Sequence, residues 1–222
     1  MDEEKGGVLL KEREFHKFTH EIKNPLAICN GYLEMMLKKK ETDSSYLSIV
    51  KSEVQRSLNI ITEYSMNKFF VLEIEEIDLT YLLEDVIKTL SFLFLESQSK
   101  ILFLETKEYY MWGDYNRLKQ VFLNLLKNAY EARCGEHLLV VVRIVDYQDY
   151  YQVQITDNGI GMTSKELQRV GEEYYTTKEE GTGLGISYCK EVVRRHGGDL
   201  FYQSKKFLGT RVLLTLPKRK KS

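Results

Sequence analysis

Apolar side chains at Phe15, Phe18, Ile22, Pro25, Cys29, Tyr32 and Met36 recur at alternating intervals of three and four residues. That interval pattern is the seam of an amphipathic helix packed along one face. The polar run Lys38 to Ser45 interrupts it, with Asp43 or Ser44 available as the N-cap of a second helix. The seam resumes at Leu47, Val50, Val54, Ser57, Ile61 and Tyr64. From about Val8 to Asn67 the pattern therefore predicts two long helices in an antiparallel hairpin. A lone hairpin buries one stripe on each helix, whereas two side by side form a four-helix bundle. The pattern thus favours a homodimer over a monomeric helical pair.

From Ile77 to Pro217 the period alternates. Leu79 to Ser97, Asp114 to Arg133 and Ile186 to His196 read as helices, and Ile101 to Leu104, Leu138 to Asp146, Tyr151 to Thr156, Leu200 to Gln203 and Arg211 to Leu216 as strands. Hairpin-linked strands mixed with separate helices predict a two-layer α/β sandwich rather than a doubly wound sheet. The division is then a helical hairpin over residues 1–70 and a sandwich over 71–222.

Composition narrows the picture. The 222 residues carry 32 Lys+Arg and 33 Asp+Glu, a net charge of −1, which argues against nucleic-acid binding driven by bulk charge. Cys29, Cys134 and Cys189 have no CxxC spacing, so neither a disulfide framework nor a zinc site is expected and a reducing cytosol fits best. No window reaches the roughly 18 apolar residues of a membrane span, and Asp2, Glu3 and Glu4 do not suit a signal peptide.

Four stretches carry candidate chemistry. With Phe15 at heptad position a, His20 falls at f, away from the seam, in the text His20-Glu21-Ile22-Lys23-Asn24-Pro25-Leu26. An exposed imidazole presents a nucleophilic nitrogen, and Glu21 beside it is placed to accept its proton. Pro25 within the seam removes a helix hydrogen bond and bends the axis, at a cost of about 3 kcal/mol. Second, Asn124, Asn128 and Glu131 share one helix face, and amide oxygens suit Mg²⁺ that retains waters and phosphate oxygens. Third, in Asp157-Asn158-Gly159-Ile160-Gly161-Met162 an acid at a strand end is followed by glycines that let backbone come close, and its carboxylate can accept from an exocyclic amine such as that of adenine. Fourth, Gly181-Thr182-Gly183-Leu184-Gly185 opens a helix and offers amides to phosphate, although it is neither a P-loop nor a dinucleotide fingerprint. The loop before it, holding Tyr174-Tyr175-Thr176-Thr177-Lys178, reads as a lid.

Together these stretches resemble the bacterial sensor histidine kinases. His20 to Leu26 is similar to the phosphoacceptor box, Asn124 to Ala132 to the N box, Asp157 to Met162 to G1, Tyr174 to Lys178 to the F box and Gly181 to Ile186 to G2. Within the family the text looks most like the sporulation kinases. The resemblance implies a dimeric phosphotransfer hairpin followed by an ATP-binding sandwich of the gyrase/chaperone/kinase/mismatch-repair superfamily. His20 is then the phosphoacceptor, Glu21 the general base and Asn24 a further catalytic position. Asn128 would hold Mg²⁺ and Asp157 recognise adenine, with Asn124, Lys127, Gly159, Gly161, Thr176, Thr177, Lys178, Gly181, Thr182, Gly183, Leu184, Gly185 and Thr210 around ATP.

Implied partners are a second copy, a response regulator receiver domain and small protein inhibitors of the helical domain, with no nucleic acid. The resemblance places this core in the cytoplasm and suggests a membrane-anchored sensor region outside it. Tyr174-Tyr175 stands where the family commonly has two phenylalanines. A superfamily ATPase or serine kinase would share the nucleotide boxes, but neither would need His20 to Leu26 on a paired helix.

Overall fold

In the computed structural model of the chain, the described residues are 2–39, 44–66, 71–135, 137–172, 175–178 and 183–218. They belong to two compact units, Met1–Phe70 and Val71–Ser222.

The first unit is a hairpin of α1 (Asp2–Lys39) and α2 (Ser44–Met66). Its helices run antiparallel: Cys29 Sγ lies 3.5 Å from the Val50 carbonyl oxygen, and the Tyr32 and Tyr46 rings are 5.3 Å apart. The α1 helix continues through Pro25, so the proline does not end it. Pro25 and Cys29 are buried, which makes the proline ring part of the packed seam.

The α2 seam differs from the expected one. Tyr46, Val50, Glu53 and Ser57 are buried or half-buried, while Leu47, Val54 and Ile61 are exposed together with Leu58. Helix geometry turns each residue by about 100°, so neighbouring positions 46 and 47 start two distinct stripes. One stripe packs in the hairpin and the other stays open. Helix α1 shows the same division, with Leu26, Leu33 and Leu37 exposed.

The second unit comprises β1 (Glu75–Asp78), α3 (Leu79–Glu96), β2 (Lys100–Leu102), β3 (Tyr110–Gly113), α4 (Tyr115–Glu131), β4 (Leu139–Asp146), β5 (Tyr150–Asp157), α5 (Ser164–Arg169), α6 (Gly185–Arg195), β6 (Leu200–Lys205) and β7 (Gly209–Pro217). A five-stranded sheet runs β2-β4-β5-β7-β6; β2 is parallel to β4 and the other pairs are antiparallel. Alternation on β4 and β5 buries Val140, Val142, Val153 and Ile155 on one face. The helices supply the opposing apolar layer, including Leu82 and Val86 of α3, Leu118 and Phe122 of α4 and Val192 of α6.

Three elements were not expected from the periodicity. Strands β1 and β3 form a separate pair with Ile77 opposite Met111, the residues that fix it to the core. Helix α5 is short but has a capping box, with Thr163 Oγ1 accepting from the Glu166 amide and Glu166 returning the bond. Strand β2 stops at Leu102, short of the expected Leu104, which is exposed.

The start of α4 is fixed by Asp114. Its Oδ1 accepts from the Arg117 amide at 3.0 Å, the N-cap bond, and its Oδ2 accepts from the Glu73 amide at 3.1 Å. Its own amide donates to His196 Nε2 at 2.9 Å, and the other His196 nitrogen, Nδ1, donates to the Val192 carbonyl at 2.8 Å. An amide donor on one side and a carbonyl acceptor on the other require neutral imidazole with its proton on Nδ1. Burial pushes the His196 pKa down, against the opposing pull of the Val192 carbonyl and the Asp114 charge. A lowered folded pKa means that this stabilisation is fully present above the unfolded value of about 6.5 and is lost as pH falls through the folded one. We expect His196→Gln to lower stability by about 1–3 kcal/mol at neutral pH. Calorimetric melts should show the gap to wild type narrowing below pH 6.5 or so; a gap constant into the acid range would contradict this role.

Candidate functional site

The site is built where β5 ends. Asp157 is buried, and its Oδ1 accepts from the Gly159 amide at 2.9 Å and the Thr210 amide at 3.2 Å. Its Oδ2 accepts no hydrogen bond among the described residues. Burial raises the Asp157 pKa, with the two amides partly offsetting it. The following turn is held by backbone on two sides. A Cβ on Gly159 would lie 2.4 Å from the Ala132 carbonyl oxygen, and one on Gly161, where φ is +59°, would lie 2.1 Å from that of Lys205. These glycines therefore let the turn wedge between the end of α4 and the β6–β7 hairpin. Ser204 reinforces the wedge: its Oγ accepts from the Met162 amide at 2.8 Å, donates to the Gly209 carbonyl at 2.9 Å and lies 2.9 Å from Thr210 Oγ1. Nothing in the sequence pattern pointed to Ser204.

Asn128 and Asn124 do different things on α4. Asn128 Oδ1 accepts from Lys178 Nζ at 2.8 Å, and the same ammonium is paired with the Glu131 carboxylate. Lys127 Nζ stands 3.7 Å from Glu131 as well. Asn124 turns toward α6, its Nδ2 lying 3.8 Å from Cys189 Sγ and its Oδ1 accepting from Gln120 at 3.1 Å. Burial pushes the Cys189 thiol up to about 12, so it serves as packing rather than as a reactive group.

The loop bearing Lys178 is shaped locally. Thr176 Oγ1 accepts from the Lys178 amide at 3.1 Å, and Thr177 is exposed. The Arg169 guanidinium lies 4.0 Å from the Tyr175 ring centre, and Lys190 Nζ donates to the Val170 carbonyl at 2.8 Å. Tyr174, Gly181 and Thr182 lie outside the described residues. Gly183 has φ +71°, Leu184 is buried at the N-cap position and Gly185 begins α6. In the hairpin unit, His20, Glu21 and Asn24 are all exposed on α1.

These residues fit a nucleotide. Asp157 keeps one carboxylate oxygen for a donor such as an exocyclic amine. Asn128 and Glu131 supply oxygen donors that already surround a cationic head, the Lys178 ammonium. Among the described residues no group of three or more His, Cys, Asp or Glu could cage a metal alone. Mg²⁺ takes one or two protein oxygens and completes its shell with water and phosphate, and the Asn128 and Glu131 oxygens fit that requirement. Among the same residues no helix is long and apolar enough to cross a membrane.

Comparison with known proteins agrees with this geometry. Residues 113–220 match the family described as histidine kinase-, DNA gyrase B- and HSP90-like ATPase, which makes the second unit an ATP-binding domain. Residues 10–67 match the His Kinase A (phospho-acceptor) domain. With the two joined in this order, the chain belongs to the sensor histidine kinases. It is 35% identical over 205 residues to sporulation kinase E of Bacillus subtilis (strain 168), covering 90% of this chain and 28% of that one. To sporulation kinase B of the same organism it is 31% identical, covering 90% and 48%. The chain thus spans between about a quarter and a half of these curated relatives. Among solved structures, the catalytic domain of histidine kinase ThkA has a TM-score of 0.61 at 26% identity, covering 66% of this chain and 97% of that one. ThkA in complex with the response regulator protein TrrA has a TM-score of 0.68 at 24% identity, covering 96% and 64%, and shares the fold.

Asp157→Asn keeps an Oδ1 for both amides and replaces only Oδ2 by a donor. Because burial raises the acid's pKa, its ionised form costs stability that grows as pH rises above the unfolded pKa, and the amide escapes that cost. The expected outcome at neutral pH is an unchanged or higher melting temperature with ADP affinity lower by about tenfold or more. Calorimetric titration showing wild-type affinity would remove Asp157 from the nucleotide site.

Proposed function

We propose that this chain is the catalytic core of a kinase that phosphorylates itself on His20 from ATP and passes the phosphoryl group to an aspartate of a response regulator receiver domain, in a sporulation-type phosphorelay. The observation that carries the reading is His20 itself, exposed on α1 within the segment matching the phospho-acceptor domain. A ring nitrogen of His20 attacks the γ-phosphorus, the bond to the β,γ-bridging oxygen breaks, and ADP leaves. Glu21, the adjacent carboxylate, takes the imidazole proton, and Asn24 lies one turn further along the exposed side of α1. Asp157 Oδ2 accepts from the adenine amine. Bound Mg²⁺, held through Asn128, would neutralise charge on the phosphate oxygens. Exposure of His20 serves both transfers, because ATP and an aspartate must reach one imidazole in turn.

The open stripes on the hairpin indicate the second partner. Leu47, Val54, Leu58 and Ile61 on α2, with Leu26 and Leu33 on α1, are the surface a second copy covers in a four-helix bundle. A small protein inhibitor would act on the same hairpin. A membrane-anchored sensor region would lie in the part of the relatives' length that this chain does not span.

Incubation with γ-labelled ATP tests the kinase reading: the label should be acid-labile and base-stable, as a phosphoramidate is. His20→Gln should lose it while retaining ADP binding. An acid-stable label, or full labelling of His20→Gln, overturns the assignment. For the bundle, Leu58→Glu places a charge on the open stripe without touching the packed one, so sedimentation should report a monomer with helix content preserved. A dimer of wild-type affinity would exclude that face.

A further inference from the structure

The Lys178 ammonium is held by two oxygen donors from α4 that are 50 and 47 residues away in sequence, Asn128 Oδ1 at 2.8 Å and the Glu131 carboxylate. One is a neutral amide oxygen and the other an anionic acceptor, and they converge on a single positive centre. This is a donor set suited to a hard cation, and the ammonium stands in for one. Resting on the reading that Asn128 holds the nucleotide's Mg²⁺, we infer that Glu131 completes this cation position and that Lys178 is its placeholder, occupying it until Mg²⁺ arrives with nucleotide and displaces the ammonium.

Two features support the displacement. Lys178 and Glu131 side chains are 41% and 33% exposed, so water screens the pair and the ammonium can leave into solvent. Lys127, 3.7 Å from Glu131, remains on α4 to balance the carboxylate. Mg²⁺ held by Asn128 Oδ1 and the Glu131 carboxylate would stand where the Lys178 ammonium stands, so Mg²⁺ and the ammonium exclude one another. By reciprocity, the placeholder weakens Mg²⁺ by the same factor by which Mg²⁺ weakens it. The apparent affinity for the metal is the intrinsic affinity multiplied by the fraction of molecules from which the ammonium has departed. In the metal-free state the ammonium keeps positive charge beside the nucleotide phosphates.

The test is the ratio of ADP affinities with Mg²⁺ and with EDTA, measured calorimetrically on the whole chain, together with Mn²⁺ alone followed by electron paramagnetic resonance. Lys178→Met should raise the Mg²⁺/EDTA ratio by roughly threefold or more and should bind one Mn²⁺ without nucleotide more tightly than wild type. Adding Glu131→Gln to Lys178→Met should abolish that Mn²⁺ site, and Glu131→Gln alone should lower the ratio. Both positions are substantially exposed, and the melting temperature and circular-dichroism spectrum of each variant report on its integrity. Normal ADP binding with unaltered ratios, or no gain of Mn²⁺ in Lys178→Met, overturns the placeholder alone. A wild-type chain that binds no ADP under either condition overturns the nucleotide reading and this inference with it.

Discussion

Asp114 joins three segments that are otherwise distant in sequence, and the geometry of the ATP-binding unit depends on it. One carboxylate oxygen caps α4, the other holds the amide of Glu73 ahead of β1, and the backbone amide docks on His196 at the end of α6. The residue is buried, so each bond is shielded from competing water and each partner left alone would carry a desolvation penalty. Because α4 is rigid from Tyr115 to Glu131, fixing its first turn fixes the direction in which Asn124, Asn128 and Glu131 point further along. The Asn124–Cys189 contact ties α4 to α6 a second time, nearly three turns further on, so the helix pair is clamped at two levels.

Much of this was legible in the chain and some was not, for identifiable reasons. Helices α3, α4 and α6 were read close to their true bounds because each carries a long apolar face, and the position of His20 outside the seam follows from heptad counting alone. Strands β1 and β3 were missed because their outward residues, Glu75, Glu76, Tyr110 and Trp112, hide the single inward pair of Ile77 and Met111. Helix α5 had a sequence signal, Thr163 followed three residues later by Glu166, obscured by its glycine-rich surroundings. The split of the α2 seam was not readable, since Leu47 and Val50 lie three residues apart and satisfy one repeat while facing different neighbours. His196 after Arg194-Arg195 reads as the basic end of a helix; only a contact spanning 82 residues shows it to be a buried, neutral acceptor.

On the proposed reading, the two ends of the nucleotide site have opposite physical characters. Around Asp157 everything is prebuilt: a buried carboxylate held by backbone amides, a turn wedged against Ala132 and Lys205, and Ser204 bridging Met162, Gly209 and Thr210. Such a cluster loses little entropy on binding, and Asp157 is left with one oxygen that a mismatched base cannot satisfy. Around Lys178 the bonds are exposed, charged and drawn from a loop. Recognition of the base would thus be rigid while the phosphate end could exchange one cation for another. The arrangement would suit a kinase that must bind ATP selectively and then let its γ-phosphate go: selectivity asks for a fixed acceptor in low dielectric, whereas transfer asks for charges that can move as the phosphoryl group departs.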